Sequence, residues 1–339
     1  MRAYLLRLAR WETLLVLLLG GSIWVGASRS SGFLTSFNLS AASSDMMERA
    51  IIALPLTLVI VSGEIDISIA STLGLASAVL GTLVLGGVPL GAAIFVTLLV
   101  GALCGLLNGL LIARLGLPSL VVTLGTLALY RGLAYVVLGQ DSASAFPSWF
   151  TSFGFNTIPG TLVPWTALVF AGLAVAVYVL LHHSVLGRRL YAIGNNAEAA
   201  RFSGVHIARI KIFLFILTAT VSALAGVILT ARFSSARADN GLGWEIDIVT
   251  AVLLGGVSIF GGRGTIFGVV LGLMLIGSLR SGLSLADVTG EIQSIVIGSL
   301  LICSVLGTNI AQRVRQRALS RRLTAQLATV GREVEAAGS

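Results

Sequence analysis

Long apolar stretches alternate with short polar segments along most of the chain. Residues 13–27, 65–85, 163–181 and 212–231 are nearly free of charged side chains. A membrane-spanning helix needs about 20 apolar residues, and in lipid a helix satisfies its own backbone polar groups. The short alternating segments of a membrane β-barrel are not seen. The pattern therefore predicts an all-α integral membrane protein.

The apolar stretches predict a polytopic bundle of about ten transmembrane helices. We expect residues 1–310 to form one transmembrane domain and residues 311–339 to form a basic cytoplasmic tail. The second span is expected to begin late and to be short, because Asp45, Glu48 and Arg49 lie near its start. The predicted spans are 11–28, 43–62, 65–86, 89–113, 118–139, 163–182, 212–231, 246–260, 265–281 and 291–308.

Basic residues predict the orientation of this bundle. All of the 22 basic residues except Lys211 are arginines, and they cluster near the chain start, between Arg188 and Lys211, and in the tail. With the N-terminus inside and ten alternating spans, these clusters fall on the cytoplasmic side, so both ends are expected inside. Four arginines are then expected in outside loops: Arg29, Arg232, Arg237 and Arg280.

Composition supports a membrane protein and excludes several activities. Hydrophobic residues make up 56% of the 339 residues and charged residues 11%, against about 25% charged in soluble domains. The net charge of +8 is expected to meet anionic lipid headgroups, not nucleic acid. The chain contains no G-x-x-x-x-G-K-[ST] motif, catalytic set or metal-ligand pair. We therefore expect no catalytic site, metal or cofactor.

Residues 62–68, S-G-E-I-D-I-S, interrupt an apolar region. The segment contains two carboxylates, Glu64 and Asp66. Carboxylates in a bilayer are costly unless they meet water, a partner or a helix N-terminus. Gly63 can end one helix, and Asp66 and Ser68 can cap the next. Two interpretations stay open: a tight turn with capping residues, or a helix break beside a translocation pathway.

Residues 254–265, L-G-G-V-S-I-F-G-G-R-G-T, form a second polar interruption and include Ser258. Five glycines remove side chains and permit unusual backbone angles. No strand precedes the segment, so it is unlike a dinucleotide-binding turn. It is either a site of close helix packing or a second helix break that faces the first.

Residues 194–205, G-N-N-A-E-A-A-R-F-S-G-V, lie in the most basic predicted inside loop. Asn195 or Asn196 can cap a short helix there, and Gly204 can end it. An exposed amphipathic helix at this place suits docking onto a cytoplasmic partner. The alternative is a solvated surface helix without a partner.

Polar side chains also occur within the predicted fourth and fifth spans: Asn108, Thr123, Thr126 and Arg131. Arg131 is expensive at depth and is expected to face the bundle, a carboxylate or water. Such groups suit hydrogen bonding to a sugar, and they suit helix–helix contacts equally well.

Taken together, these motifs resemble the branched-chain amino acid and monosaccharide permease superfamily of ATP-binding-cassette importers, on its ribose-type sugar branch. The resemblance covers roughly residues 40–308. Its motifs are L-T-L-V-I with I-D-I-S at 56–68, N-G, P, T-L-G-T and R-G at 108–132, Y-A-I-G-N to S-G-V at 191–205, and G-G-V-S with G-G-R-G at 255–264. Glu64 departs from the family, which usually has glycine there.

The resemblance implies a permease subunit of a bacterial inner-membrane importer for a monosaccharide, closest to rhamnose or autoinducer-sugar permeases. Its expected partners are ATPase subunits that hydrolyse ATP, a periplasmic or lipid-tethered sugar-binding protein, and a second permease subunit. The expected translocation-pathway residues are Glu64, Asp66, Ser68, Asn108, Arg131 and Ser258. The expected ATPase-docking residues are Gly194, Asn195, Ala199, Ala200, Ser203 and Gly204.

The alternative from the residues alone is an ion-coupled secondary transporter with Glu64 and Asp66 as proton or Na⁺ sites. A membrane-embedded enzyme and a structural scaffold are more distant alternatives. Sensitivity of uptake to an ionophore would distinguish an ATP-driven importer from an ion-coupled transporter.

Overall fold

The computed structural model describes residues 2–303 and residue 306, with side chains described from residue 11 onward. The described part is helical apart from one two-stranded antiparallel sheet, in which β1 (Ser142–Ala143) pairs with β2 (Ala236–Arg237). The predicted tail, 311–339, and the end of the predicted last span lie outside the described residues. The helices are α1 (Arg2–Arg29), α2 (Ser36–Val61), α3 (Ile69–Leu85), α4 (Leu90–Ala113), α5 (Ser119–Leu138), α6 (Ser148–Phe155), α7 (Thr166–His183), α8 (Val185–Asn195), α9 (Ala197–Phe202), α10 (Ile207–Phe233), α11 (Trp244–Leu254), α12 (Ile266–Leu285) and α13 (Gly290–Cys303).

A helix lies at each of the ten predicted ranges, although the helices differ in length and polarity. Among the described residues, six are long and apolar enough to cross a membrane: α1 from Trp11, α4, α5, α7, α10 and α12. The helices α3 and α13 are apolar but shorter. The range predicted as 246–260 is not one helix, because α11 ends at Leu254 and the glycine-rich segment follows.

The prediction that the second span begins late is wrong. Helix α2 starts at Ser36, where Thr35 caps it by accepting a hydrogen bond from the amide of Asn38. The helix continues through the charged residues because they have partners. Arg232 Nε donates to Glu48 Oε1 at 2.8 Å, and the Arg232 guanidinium lies 3.5 Å from Asp45. Arg232 itself lies in the last turn of α10, not in a loop as predicted.

A second set of charges extends this cluster across four helices. Arg49 stacks on Trp244, with its guanidinium carbon 3.9 Å from the ring centre, and its Nε lies 3.5 Å from Asp247. Arg280 Nη2 donates to the same carboxylate at 2.6 Å. Arg280, like Arg232, is helical and paired, which corrects its predicted place in an outside loop. Asp45, Glu48, Arg49, Arg232, Asp247 and Arg280 are called the charge cluster below.

The helices α2 and α10 form the centre of the bundle. Helix α10 packs against α2, α3, α4 and α6, while α2 also packs against α7, α11 and α12. Every residue of α2 from Glu48 to Val61 is buried. The outer helices α1 and α5 pack on α12 and α3. Helices α1, α4, α5 and α7 leave many apolar side chains exposed, as expected for surfaces that face lipid.

Glycines bring α4 and α10 into backbone contact. Gly101, Gly105 and Gly109 are spaced four residues apart on α4, and a Cβ added at Gly109 would lie 2.8 Å from the Cα of Ile212 on α10. Small residues at this spacing let membrane helices approach closely. This four-residue spacing is visible in the sequence, but the contact between the two helices was not predicted from it.

Candidate functional site

The three polar segments that the sequence singled out meet at one end of the bundle. They are the loop after α2, the end of α8, and the glycine-rich loop between α11 and α12. A Cβ at Gly261 would lie 2.8 Å from the Cα of Gly63 and 3.0 Å from the Cα of Gly194. Because the three backbones approach this closely, no side chain fits between them. The two helix breaks therefore face each other, as the sequence suggested.

Backbone and side-chain hydrogen bonds hold this junction together. The amide of Gly262 donates to the carbonyl of Val61, the last residue of α2, at 2.8 Å. Tyr191 Oη on α8 donates to the carbonyl of Gly264 at 2.7 Å. Asn195 Nδ2 donates to the carbonyl of Tyr191 at 2.7 Å and lies 3.4 Å from that of Gly262. The loops are thus fixed to each other and to α8.

The glycine-rich loop is closed by its own backbone. The amide of Ser258 donates to the carbonyl of Arg263 at 3.0 Å, and Ser258 Oγ accepts from the amide of Phe260 at 3.3 Å. Trp11 on α1 donates from Nε1 to the carbonyl of Leu254 at 3.1 Å, where α11 stops. Ser258, predicted as a pathway residue, therefore shapes the loop in this arrangement.

Helix α9 is a short exposed element that follows the junction. Asn196 caps it by accepting from the amide of Ala199 at 2.9 Å, and Gly204 follows its end with φ of +80°. The predicted cap and stop are confirmed. The side chain of Phe202 is 86% exposed, whereas Ala200 is buried. The remaining docking candidates, Ala199 and Ser203, are exposed on the same helix end.

Glu64 forms an ion pair with Lys211 near the start of α10. The two side chains are only 13% and 18% exposed. Because α10 begins directly after the α9 turn, the pair links the loop after α2 to the segment that carries α9. Glu64 is therefore not a free carboxylate, and Lys211, which was not among the predicted site residues, is a further functional candidate.

Asp66, Ser68 and Asn108 form one buried network next to the helix break. Ser68 donates from its amide and Oγ to Asp66 Oδ1 at 2.9 and 2.6 Å, and Asn108 Nδ2 donates to Ser68 Oγ at 2.9 Å. Tyr130 Oη lies 3.1 Å from Asn108 Oδ1. Ser68 is the N-cap residue of α3, but its side chain does not cap that helix, so this part of the prediction is wrong.

The Arg131 side chain binds backbone carbonyls next to this network. Its Nη1 donates to the carbonyls of Ala238 and Asn240 at 2.6 and 3.0 Å, and its Nη2 donates to the carbonyl of Ala70 at 3.2 Å. These bonds hold the segment after β2 against the first turn of α3, close to the buried network. In that segment, the hydrogen bond from Arg237 lowers the pKa of Asp239.

The predicted site residues thus fall into three places. Glu64, Gly194, Asn195 and Ser258 belong to the loop junction and its edges. Asp66, Ser68 and Asn108 form the buried network beside it. Arg131 holds the segment after β2 against the start of α3. Among the described residues, no group of three or more metal-ligating side chains is found.

The long apolar helices define a multi-pass membrane protein in which two helix breaks face each other. A model of the family described as branched-chain amino acid transport system / permease component matches residues 38–305. The chain therefore belongs to this permease family, and it is a multi-pass protein of the inner membrane. No solved structure matched the chain.

Similar proteins are named as permeases of one import system. The "Autoinducer 2 import system permease protein LsrD" of Yersinia enterocolitica is 41% identical over 307 residues, which cover 89% of this chain and 92% of that protein. Proteins of the same name from Photorhabdus luminescens and Yersinia pseudotuberculosis are 39% and 40% identical over the same coverage.

Proposed function

We propose that this chain is the membrane-spanning permease subunit of an ATP-driven importer for an autoinducer-2-type sugar. The substrate class follows from the relatives, which are named as autoinducer 2 import permeases and match most of this chain. The sequence contains no nucleotide-binding motif, so ATP would be hydrolysed by partner ATPase subunits. A sugar-binding protein outside and a second permease subunit would complete the transporter.

The observation that carries the proposal is the junction of α8 with both helix breaks. Gly194 at the end of α8 lies against the carbonyl of Val61 and the amide of Gly262, so that a Cβ there would meet both. A force applied to α9 reaches these two loops directly through α8. We infer that residues 194–204 dock onto the ATPase and that ATP binding moves the breaks.

The proposed topology has ten membrane-crossing helices with both ends in the cytoplasm. The loop that contains α8 and α9 is rich in arginine, and Arg114 and Arg263 lie at the same end of the bundle. Positively charged loops favour the cytoplasmic side. The six long apolar helices support this path, and α2, α3, α11 and α13 would be the shorter or more polar crossings.

The buried network beside the break is the proposed polar part of the pathway. Asp66, Ser68 and Asn108 are 0–2% exposed, so the described arrangement is closed around them. Alternating access would expose them when the loop after α2 moves. A transient pathway of this kind needs only weak contacts, because the sugar-binding protein would supply most of the affinity. Arg131 would hold the segment after β2 against α3 instead of meeting sugar.

The alternative is an ion-coupled transporter that uses Glu64 and Asp66. Two observations weigh against it: Glu64 is paired with Lys211, and Asp66 accepts two hydrogen bonds from Ser68. The charge of a carboxylate with such partners is already compensated, so the carboxylate is a poorer site for an ion that must bind and leave in each cycle. The ATP-driven class requires no ion to bind at either carboxylate.

Co-purification from the native membrane, followed by mass spectrometry, tests the class first. We expect an ATPase and a sugar-binding protein to be recovered with the permease. The reconstituted complex should then take up the sugar only when ATP is present inside the vesicles, with the binding protein outside. Uptake that persists without ATP and collapses when an ionophore removes the proton gradient would establish the ion-coupled class instead.

A further inference from the structure

A large cavity opens beside α9 at the end of the bundle that we propose to be cytoplasmic. Its volume is about 1010 Å³, and its walls come from the end of α4, the turn before α5, α9 and the start of α10. Helices α4 and α10 touch through glycines at Gly101, Gly105 and Gly109. The cavity is formed where this helix pair ends and the chain continues into polar turns.

The cavity is lined by more positive than negative charge. Arg114, Arg201, Arg209 and Lys211 line it together with one carboxylate, that of Glu198. Lys211 is already compensated by Glu64. Within the described part of the chain, Arg114, Arg201 and Arg209 form no ion pair. The three arginines against Glu198 leave an excess of positive charge that faces solvent.

The position of the cavity indicates its occupant. Helix α9 supplies the exposed side chain of Phe202 and also the cavity residues Glu198 and Arg201. A partner that covers α9 must therefore lie next to the arginines. Complementary charge at the edge of an interface steers association and fixes its register, so a partner surface at this place should carry acidic side chains.

We propose that this cavity, called the basic cavity, is a second part of the ATPase-docking surface and receives an acidic loop of the partner ATPase. The inference rests on the proposed function, since it requires an ATPase at α9. It adds the α4–α5 turn and the start of α10 to the docking surface. The prediction from the sequence placed that surface within residues 194–204 alone. Arg114 and Arg209 carry the contact from these two elements.

Binding of the purified ATPase to the permease tests this inference. The ATPase is the one recovered with the permease from its native membrane, and the permease is held in nanodiscs of phosphatidylcholine. We expect the double variant R114Q/R209Q to bind about tenfold more weakly at low salt and to show a smaller salt dependence. The charge-preserving variant R114K/R209K should keep most of the affinity.

The control is R188Q/R189Q, which removes two exposed arginines of α8 that do not line the cavity. It should bind within about twofold of the unchanged protein, since exposed charges outside the contact are largely screened by salt. The single variants R114Q and R209Q should each show a smaller loss, so the result does not depend on one double variant that folds poorly. Thermal unfolding midpoints check the fold of each variant.

Unchanged ATPase affinity in R114Q/R209Q, with the unchanged permease binding normally, would overturn the inference and leave the proposed function intact. Loss of co-purified anionic phospholipid in that variant, with ATPase affinity retained, would assign the cavity to a lipid headgroup instead. If no ATPase is recovered or bound by the unchanged permease, both the inference and the proposed function fail.

Discussion

Lys211, the single lysine of the chain, forms an ion pair with Glu64 in the loop after α2. The pair joins the first turns of α10 to the break between α2 and α3. One partner follows the segment that carries α9, and the other precedes the buried network of Asp66. The pair is therefore placed to transmit movement of the proposed docking segment to the helix break.

Removing one partner of this pair should impair both stability and transport. In E64Q, Lys211 keeps its charge in a site where it is only 18% exposed. We expect a cost of about 1–3 kcal/mol, since a charged group left without its partner is penalised. The measurement is the midpoint of thermal unfolding in detergent, together with sugar uptake by reconstituted vesicles.

The double variant E64Q/K211Q is the matched control for this prediction. Because it removes both charges, it should cost less than the sum of the two single changes, which reveals the coupling of the two residues. If the effects of E64Q and K211Q simply add, the two side chains do not interact in the folded protein.

Gly194→Ala should disturb the junction of the three loops. The new Cβ would meet the carbonyl of Val61 and the amide of Gly262, and forced contacts of this kind cost about 1–3 kcal/mol. We expect uptake to fall about tenfold or more, and ATP hydrolysis by the complex to lose its dependence on sugar. Gly172→Ala on α7 is the control, because nothing lies within 4 Å of its Cβ. Equal uptake in both variants would mean that this junction is not used in transport.

Much of the membrane fold could be predicted because apolar length is a local property. The ten predicted ranges each contain a helix, and the cap at Asn196 and the stop at Gly204 follow from residue types that act on their own neighbours. The family could be identified for a similar reason, since its motifs are short and continuous. The sequence could only suggest that the breaks at Gly63 and Gly261 face each other, because this contact depends on the tertiary fold.

The errors came from interactions between residues distant in the chain. Asp45, Glu48 and Arg49 were taken as a sign that α2 begins late, but Arg232 and Asp247 compensate them from other helices. Charge partners on separate helices cannot be deduced from the local pattern. The pathway roles predicted for Ser258 and Arg131 stay predictions, since in this arrangement their hydrogen bonds shape a loop and hold the segment after β2.

Arg131→Gln should loosen the segment after β2 without changing the buried network. The guanidinium donates to the carbonyls of Ala238, Asn240 and Ala70, and glutamine cannot reach all three. We expect faster hydrogen exchange at the amides of residues 236–240. The control R188Q changes an exposed arginine of α8, outside this segment, and should have little effect. Unchanged exchange in R131Q would show that other contacts hold this segment.

Asp247→Asn should destabilise the charge cluster, in which this carboxylate compensates the charges of two arginines. Arg280 donates to Asp247 at 2.6 Å, and Arg49 Nε lies 3.5 Å away, while the Asp247 side chain is only 7% exposed. Breaking a buried ion pair on one side costs about 3 kcal/mol or more, because charge is left uncompensated. The thermal unfolding midpoint in detergent should therefore fall clearly.

The control D239N removes the carboxylate of an exposed pair with Arg237 and should leave the midpoint nearly unchanged. A midpoint for D247N equal to that of D239N would mean that water or lipid headgroups compensate Arg49 and Arg280 in the membrane.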